Sequence, residues 1–184
     1  MKTKFIDKEI KYIGSQLAPH WIYKNFGLQG DSIVAFIGEC DVRLPEMVDL
    51  EDVINNEPIY SKLMLSFISE QFGIGLTEGV FRQRLLICVI KELLEERGIS
   101  VIRKGDDLLI NGGKLSVSIA TKSITSVLIH TGLNILSEGA PVKASGLKSE
   151  LGIQDIENFA KEVMQRYSDE IEDIIFAGTK VRGV

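Results

Sequence analysis

The chain has 184 residues, of which 45% are hydrophobic and 26% are charged, with a formal net charge of -5. A chain of this length can bury roughly 70% of its unfolded surface around one core, and its composition is that of an ordered globular protein. The acidic balance argues against a nucleic-acid partner, which requires a basic surface. The longest apolar run, residues 85–90, is far shorter than a bilayer span of about 20 residues, so we expect no membrane segment.

The two cysteines indicate a reducing compartment. Cys40 and Cys88 lie far apart without the spacing of metal ligands, and no signal-peptide pattern precedes the charged start of the chain. We therefore expect a cytoplasmic protein. Cys88 falls in the apolar part of a predicted helix and is expected in the core, whereas Cys40 borders an acidic segment and is a candidate nucleophile.

The first half of the chain is predicted to contain strands, one short helix and a long loop. Ser15 can cap a helix over 17–26, which Gly27 would end. Residues 40–58 are acidic and irregular, which is typical of a long loop with one helical turn, and loops of this length often act as lids or binding segments. The apolar runs of strand length fall at residues 5–12, 32–37 and 60–67.

The second half begins with the clearest helical pattern. Apolar residues follow the 3.6-residue period over 77–97, where Thr77 can cap the helix, and the pattern turns helical again after Pro141. The order of elements predicts an α+β fold in which helices back a mixed, mainly antiparallel sheet. We expect a single 1–184 domain, with 136–184 as a helical extension packed on it. Short strands separated by glycine-containing turns are predicted at 99–103, 108–110, 114–121 and 124–133.

Lys114 is the residue with the most informative chemistry. Strand residues alternate between faces, so we expect Lys114, Ser116 and Ser118 to share one side of their strand. An ammonium beside two hydroxyls on a face of small residues is typical of a site for a carboxylate or a phosphate. The competing interpretation is a lysine that keeps a sheet edge soluble.

Other polar residues are weaker candidates. His130 can act as an acid or base near neutral pH, or it is a structural histidine. The acidic residues Asp49, Glu51 and Asp52 supply oxygen ligands suited to Mg²⁺, although such runs are mostly solvated loops. A metal-dependent hydrolase or nucleotidyl enzyme is the hypothesis that this cluster would support.

A motif order runs through residues 98–135. A strand is followed by Gly105-Asp106-Asp107, then by Gly113-Lys114, and finally by Gly132-Leu133-Asn134. This order resembles the catalytic core of the biotin and lipoate protein ligases, of the class II aminoacyl-tRNA synthetase-like superfamily. There a Trp-Pro-Asn-Asp segment precedes a Lys-x-x-Gly strand and a Gly-x-Asn strand follows. Upstream, Gly14-Ser15-Gln16 stands where a Ser-Thr-Asn segment opens the first ligase helix. More narrowly, the whole chain resembles an uncharacterised archaeal family grouped with those ligases.

The resemblance implies roles for individual residues. It implies that Lys114 contacts the carboxylate of a small acid and the α-phosphate of ATP, and stabilises the charge of an acyl-adenylate. It implies that Asp107 helps to hold nucleotide or metal and that Asn134 closes the phosphate side. Ser15 and Gln16 would hydrogen-bond the small acid, and we expect Ser116, Ser118 and His130 to line the same site.

The sequence also departs from the ligase pattern. Val117 stands near the position of a ligase glycine, and the acidic 40–58 segment takes the place of the Gly-Arg-Gly-rich adenylate-binding loop. An acidic loop repels phosphates unless a cation intervenes, so the use of ATP and Mg²⁺ stays open. We expect an acyl-adenylate-forming ligase or acyltransferase that binds a small carboxylate. The alternative is a non-catalytic small-molecule, nucleotide-binding or assembly protein of the same fold, and a homodimer is expected in either case.

Overall fold

The fold comes from a computed structural model that describes residues 1–140 and 142–184. Pro141, where the helical pattern of the C-terminal region was expected to begin, lies outside the described residues. Within those residues no helix combines the length and the hydropathy that a bilayer span requires. The elements in chain order are β1 (Lys2–Ile6), α1 (Trp21–Phe26), β2 (Ser32–Val42), α2 (Leu50–Asn55), β3 (Ile59–Phe72), α3 (Leu76–Glu95), β4 (Ile102–Lys104), β5 (Asp107–Ile110), β6 (Gly113–Lys114), β7 (Ser116–Lys122), β8 (Ser126–Asn134) and α4 (Ile156–Thr179).

The main sheet has five strands in the order β1-β2-β3-β8-β7. β1 pairs with β2 in parallel, and every other neighbouring pair in this sheet is antiparallel. A smaller sheet of β4, β5 and β6 follows α3 in the chain. The predicted α+β fold with a mixed, mainly antiparallel sheet is therefore confirmed.

The sheet has two apolar faces because side chains alternate along each strand. On β2, Ile33 and Ala35 belong to a core formed with α3 and α4, whereas Val34 and Phe36 belong to a second cluster on the opposite face. That second cluster includes Ile22 of α1. The two long helices thus cover one face, and shorter segments cover the other.

The C-terminal helix follows the period that its sequence shows. Phe159, Val163 and Tyr167 of α4 are all fully buried in the core that α3 and the sheet share. The Asp155 carboxylate accepts a hydrogen bond from the Asn158 N–H at 2.9 Å, which caps the first turn and satisfies one of the free helix N–H groups. The helix predicted from apolar spacing is confirmed.

Several boundaries differ from the predictions, and β1 lies at Lys2–Ile6 rather than over 5–12. α1 begins at Trp21 rather than at 17, because residues 15–20 form turns and His20 precedes the helix with a φ of 62°; Ser15 is therefore not its cap. The helix predicted to begin at Thr77 starts one residue earlier, after Gly75. The acidic segment contains the expected helical turn as α2, but it is more regular than expected, because β2 extends to Val42 and a 3-10 turn precedes α2.

The strand predicted over 114–121 is split at Leu115. The Leu115 N–H donates to the Leu108 carbonyl at 2.8 Å, and the Leu115 side chain is fully buried in the helix-covered core. Ser116 lies opposite Leu133, which belongs to the same core. Two consecutive residues therefore face the helices, and the alternation that would place Lys114 with Ser116 is broken.

Residues 143–148 run beside the lysine strand. The Lys114 N–H donates to the Lys143 carbonyl at 2.9 Å, and the Ser145 N–H donates to the Lys114 carbonyl at 3.0 Å. The Ser145 hydroxyl also donates to the Ile110 carbonyl, and the Leu147 N–H donates to the Asn134 carbonyl at 2.8 Å. This segment ties the backbone of Lys114 to the ends of β5 and β8.

Candidate functional site

A cavity of about 530 Å³ opens on the sheet face opposite α3 and α4. Met64 of β3 and Val117 and Ile119 of β7 supply apolar side chains from the two strands that flank β8. The segment between β2 and β3 supplies the facing wall. The charged lining residues among those described are one lysine and six acids: Lys114, Glu46, Asp49, Asp52, Glu57, Asp106 and Asp107. The cavity thus combines an apolar wall with an acidic opposite side and one ammonium.

Lys114 lies in the cavity lining beside Asp107. Its Nζ is 2.9 Å from the Asp107 Oδ1, and each of the two side chains is 38% exposed. An ammonium has three N–H donors, so this ion pair leaves donors for a ligand that enters the cavity. Asp107 also begins β5 and pairs with Lys104 across the turn at Gly105 and Asp106.

The expectation that Lys114 shares a strand face with Ser116 and Ser118 is wrong. The Ser116 hydroxyl accepts from the Leu108 N–H at 2.9 Å and donates to the Asp106 carbonyl, and Ser116 is not in the cavity lining. Ser118 reaches the lining, but its hydroxyl already contacts the Thr131 hydroxyl at 2.8 Å. The physical reason is the break at Leu115, which the smaller sheet imposes by pairing with that residue.

A polar network lies behind the lysine. The Arg84 guanidinium donates to one oxygen of Asp106 at 2.7 Å, and the Gln83 amide donates to the other oxygen at 3.0 Å and to the Ser118 hydroxyl at 3.1 Å. Burial raises the pKa of Asp106, and the nearby Arg84 charge opposes that effect. The turn that carries Asp106 and Asp107 is therefore held against α3.

His130 lies at the bottom of the cavity. It is 3% exposed, its ring stacks on Tyr12 with centroids 3.8 Å apart, and its Nε2 is 3.3 Å from the Ser66 hydroxyl. Burial lowers its pKa to about 3, so the ring is neutral at physiological pH. Protonation near neutral pH is therefore not available to it, and a hydrogen-bonding role is favoured over acid–base work.

Of the remaining residues predicted to contact a ligand, one lines the cavity and two do not. Asn134 lines the cavity, and its amide donates to the Lys114 carbonyl at 3.2 Å. Ser15 is exposed in a turn, and Gln16 uses both ends of its amide to hold the loop, accepting from Ile13 N–H and donating to the Lys11 carbonyl. Neither Ser15 nor Gln16 is in the lining.

The acidic segment does not form a metal site in the part of the chain that the structure describes. No group of three or more His, Cys, Asp or Glu residues there is arranged to hold an ion. Asp49 caps α2 by accepting from the Glu51 N–H at 2.9 Å. Burial and the neighbouring Asp49 raise the pKa of Asp52, and the Lys114 charge opposes them. The described side chains therefore give the metal hypothesis for these residues no support.

The burial of both cysteines differs from the prediction. Cys40 is fully buried on β2, outside the lining, and burial raises the pKa of its thiol to about 12. A neutral thiol is a poor nucleophile, so the prediction for Cys40 is wrong. Cys88 is only partly buried on α3, rather than in the core.

The sequence offered no sign of Tyr12 as a site residue. Tyr12 forms a backbone bridge with Cys40, is 3% exposed, and lies in the lining against His130. Its position depends on contacts between distant parts of the chain. A single buried tyrosine after a predicted strand carries no local signal of such a role.

The fold is similar to that of lipoate and biotin protein ligase domains. A putative lipoate protein ligase from T. acidophilum with bound lipoic acid aligns with a TM-score of 0.60 and 13% identity, covering 92% of this chain and 85% of that one. A biotin protein ligase from Aquifex aeolicus in complex with biotin aligns with a TM-score of 0.60 and 14% identity, covering 94% and 70%. At these identities the likeness shows the fold alone.

The chain belongs to the family described as Domain of unknown function (DUF366), whose model matches residues 1–182. An uncharacterized protein of Methanocaldococcus jannaschii is 39% identical over 180 residues, which cover 95% of this chain and 81% of that protein. A solved protein of unknown function from Pyrococcus horikoshi is 41% identical with a TM-score of 0.93, covering 100% of this chain and 98% of that one. The resemblance to an uncharacterised archaeal family with a ligase-like fold is confirmed.

Proposed function

We propose that this protein binds a small organic acid in the cavity, with the carboxylate at Lys114, as a ligase-like or acyltransferase-like protein. The observation that carries the proposal is the placement of Lys114 as the cation of the described lining, beside an apolar wall. Hydrogen bonds from an ammonium to a carboxylate are among the stronger ones in proteins. Asp107 orients the ammonium without using all of its donors.

The structural relatives support this choice of ligand class. Proteins of the same fold have been solved with lipoic acid or with biotin bound, and both molecules are small acids with a long apolar portion. The apolar side chains of Met64, Val117 and Ile119 are suited to such a portion. The ligand class is therefore argued from the lysine and the apolar wall together.

Lys114 would also serve acyl-group chemistry. Negative charge develops on the carbonyl oxygen when an acyl group is transferred, and a fixed ammonium beside that oxygen stabilises the charge. The described lining does not fit a nucleoside triphosphate by itself, because six carboxylates and one lysine face the cavity. We therefore derive no step through ATP or Mg²⁺.

A second candidate is a non-catalytic small-molecule-binding protein. The acidic lining favours it, because carboxylates around the mouth repel the phosphates on which an acyl-adenylate depends. In this case Lys114 would hold a carboxylate that is never activated. The expected homodimer and the expected absence of a nucleic-acid partner stay predictions under both candidates.

Calorimetric titration of straight-chain organic acids tests the binding proposal. We expect Lys114→Ala to weaken binding roughly ten- to hundredfold, which corresponds to the loss of a charge-assisted hydrogen bond. Lys62→Ala is the matched control, since Lys62 forms an exposed ion pair with Glu138 and is not in the lining. Equal affinities for the wild type and Lys114→Ala would refute the proposal.

Two activity assays then separate the candidates. Acyl transfer from thioesters, and pyrophosphate release from ATP and Mg²⁺ with the same acids, are measured for the wild type and Lys114→Ala. Turnover that depends on Lys114 supports the ligase or acyltransferase candidate. Binding that depends on Lys114 without turnover in either assay supports the non-catalytic candidate.

A further inference from the structure

Two polar atoms of the cavity lining lack a hydrogen-bond partner among the residues that the structure describes. Tyr12 and His130 are each 3% exposed and stack with an interplanar angle of 13°. His130 uses its Nε2 toward the Ser66 hydroxyl at 3.3 Å. The Tyr12 hydroxyl and the His130 Nδ1 form no hydrogen bond with any residue in 1–140 or 142–184, whereas most buried polar groups are paired.

These two atoms belong to side chains that line the cavity. Over the described ranges, Ser32 Oγ is the one enclosed side-chain nitrogen or oxygen that lacks a partner, so neither the Tyr12 hydroxyl nor the His130 Nδ1 falls in that class. Together they form a hydrogen-bonding surface within a mostly apolar part of the lining.

This surface carries no charge. Burial lowers the pKa of His130 to about 3 and raises that of Tyr12, so the ring is neutral and the phenol stays protonated. The hydroxyl can donate a hydrogen bond, and the Nδ1 donates or accepts according to the tautomer that Ser66 favours. A ligand charge placed here would have no counter-charge on this surface, which disfavours it.

The surface lies at some distance from Lys114. Asn134 donates to the Lys114 carbonyl, and His130 is four positions earlier on β8. At a rise of about 3.4 Å per residue, the two positions are roughly 14 Å apart along the strand. The cavity therefore has a cationic end and a neutral polar end.

We propose that the neutral end selects the ligand: the cavity takes an organic acid whose far end carries a neutral hydrogen-bonding group, such as a hydroxyl or a carboxamide. This inference rests on the proposed function, because it takes Lys114 as the anchor of the carboxylate. A plain hydrocarbon end would cover the Tyr12 hydroxyl and the His130 Nδ1 and leave both without a partner. Sites built to hydrogen-bond a ligand reject analogues that lack the bonding group.

The test uses straight-chain acids of six, eight and ten carbons, each with a methyl, hydroxyl or primary-amide end. Affinities are measured by calorimetry for the wild type, Tyr12→Phe and Lys114→Ala. Tyr23→Phe is the control, because Tyr23 is 53% exposed on α1 and outside the lining. Tyr12→Phe removes one oxygen and keeps the aromatic stack, so its thermal unfolding temperature should not fall below that of the wild type.

We expect the wild type and Tyr23→Phe to bind the best polar-ended acid roughly tenfold more tightly than the methyl-ended acid of the same length. We expect Tyr12→Phe to lose most of that preference while it keeps its affinity for methyl-ended acids.

Equal or tighter binding of methyl-ended acids by the wild type, with all acids weakened in Lys114→Ala, would overturn the inference and leave the proposed function standing. A preserved preference with no effect of Lys114→Ala would overturn the proposed function alone, and an absence of binding by every acid would overturn both.

Discussion

His130 should make the protein sensitive to mild acid. Burial lowers the pKa of its imidazole from 6.5 to about 3. Between these two values the unfolded chain binds a proton that the folded protein excludes, so the free energy of unfolding falls as the pH falls from 6.5 toward 3. Above pH 6.5 the ring is neutral in both states, and His130 adds no pH dependence.

The size of this effect follows from the shift. One pKa unit corresponds to about 1.36 kcal/mol, so the full shift of about 3.5 units is worth roughly 5 kcal/mol. At pH 4.5, between the two pKa values, the loss amounts to about 3 kcal/mol relative to pH 7.5. This is a large part of the roughly 5–15 kcal/mol that stabilises a typical domain.

Urea unfolding between pH 4.5 and 7.5 measures the effect, with His130→Phe as the comparison. Phenylalanine keeps a ring against Tyr12 but cannot bind a proton. Carboxylates whose pKa values are lowered by partners, such as Asp41, Glu96 and Glu172, also lose stabilising contacts in acid, and they contribute equally to both proteins. The wild type should therefore lose about 2–3 kcal/mol more than His130→Phe over this range. Parallel curves for the two proteins would refute the reasoning.

Two further predictions concern packing and thiol reactivity. Gly146→Ala should lower the free energy of unfolding by about 1–3 kcal/mol, because the new Cβ would lie 2.6 Å from the Ile135 carbonyl oxygen. Gly178→Ala meets nothing within 4 Å and should raise the free energy of unfolding by up to about 1 kcal/mol. Chemical denaturation measures both changes, and equal effects of the two substitutions would contradict the packing. A colourimetric thiol reagent should modify Cys88 well before Cys40 in the folded protein, because Cys40 is fully buried and Cys88 is not. In urea both thiols should react. Rapid modification of Cys40 in the folded Cys88→Ser variant would contradict this prediction.

The elements with a strong local period could be predicted from the sequence. The apolar spacing of α3 and α4 places most core residues of both helices, since a helix face is set by residues three and four apart, although Cys88 of α3 is only partly buried. The alternating core contacts of β2 follow in the same way from the strand period. The order of strands and helices was sufficient to predict the α+β class.

The errors arise where distant contacts decide the local structure. Ser15 can cap a helix, but the turn before α1 is instead held by the His20 N–H, which donates to the Glu70 carboxylate at 2.8 Å. The strand face of Lys114 depends on Leu115, whose backbone pairs with Leu108 rather than continuing β7. Neither partner can be identified from residues nearby in the sequence.

The candidate site was predicted only in part for the same reason. Lys114, Asp107 and Asn134 are brought together in the lining, and they belong to the motif that carries the family resemblance. The stacking of Tyr12 on His130 joins the first segment of the chain to β8. Such a pair has no sequence signature, because each residue alone is typical of a buried core position.

The hydrogen bonds of residues 143–148 make the lysine motif dependent on sequence beyond itself. A fragment that ends at residue 136 keeps every strand of both sheets but loses the carbonyl of Lys143 and the amide of Ser145, which hold the backbone of Lys114. Transplanting residues 98–135 into another scaffold would move the lysine without those partners. The transferable unit is therefore longer than the recognisable motif, and searches or designs that use the motif alone would leave the orientation of its lysine unspecified.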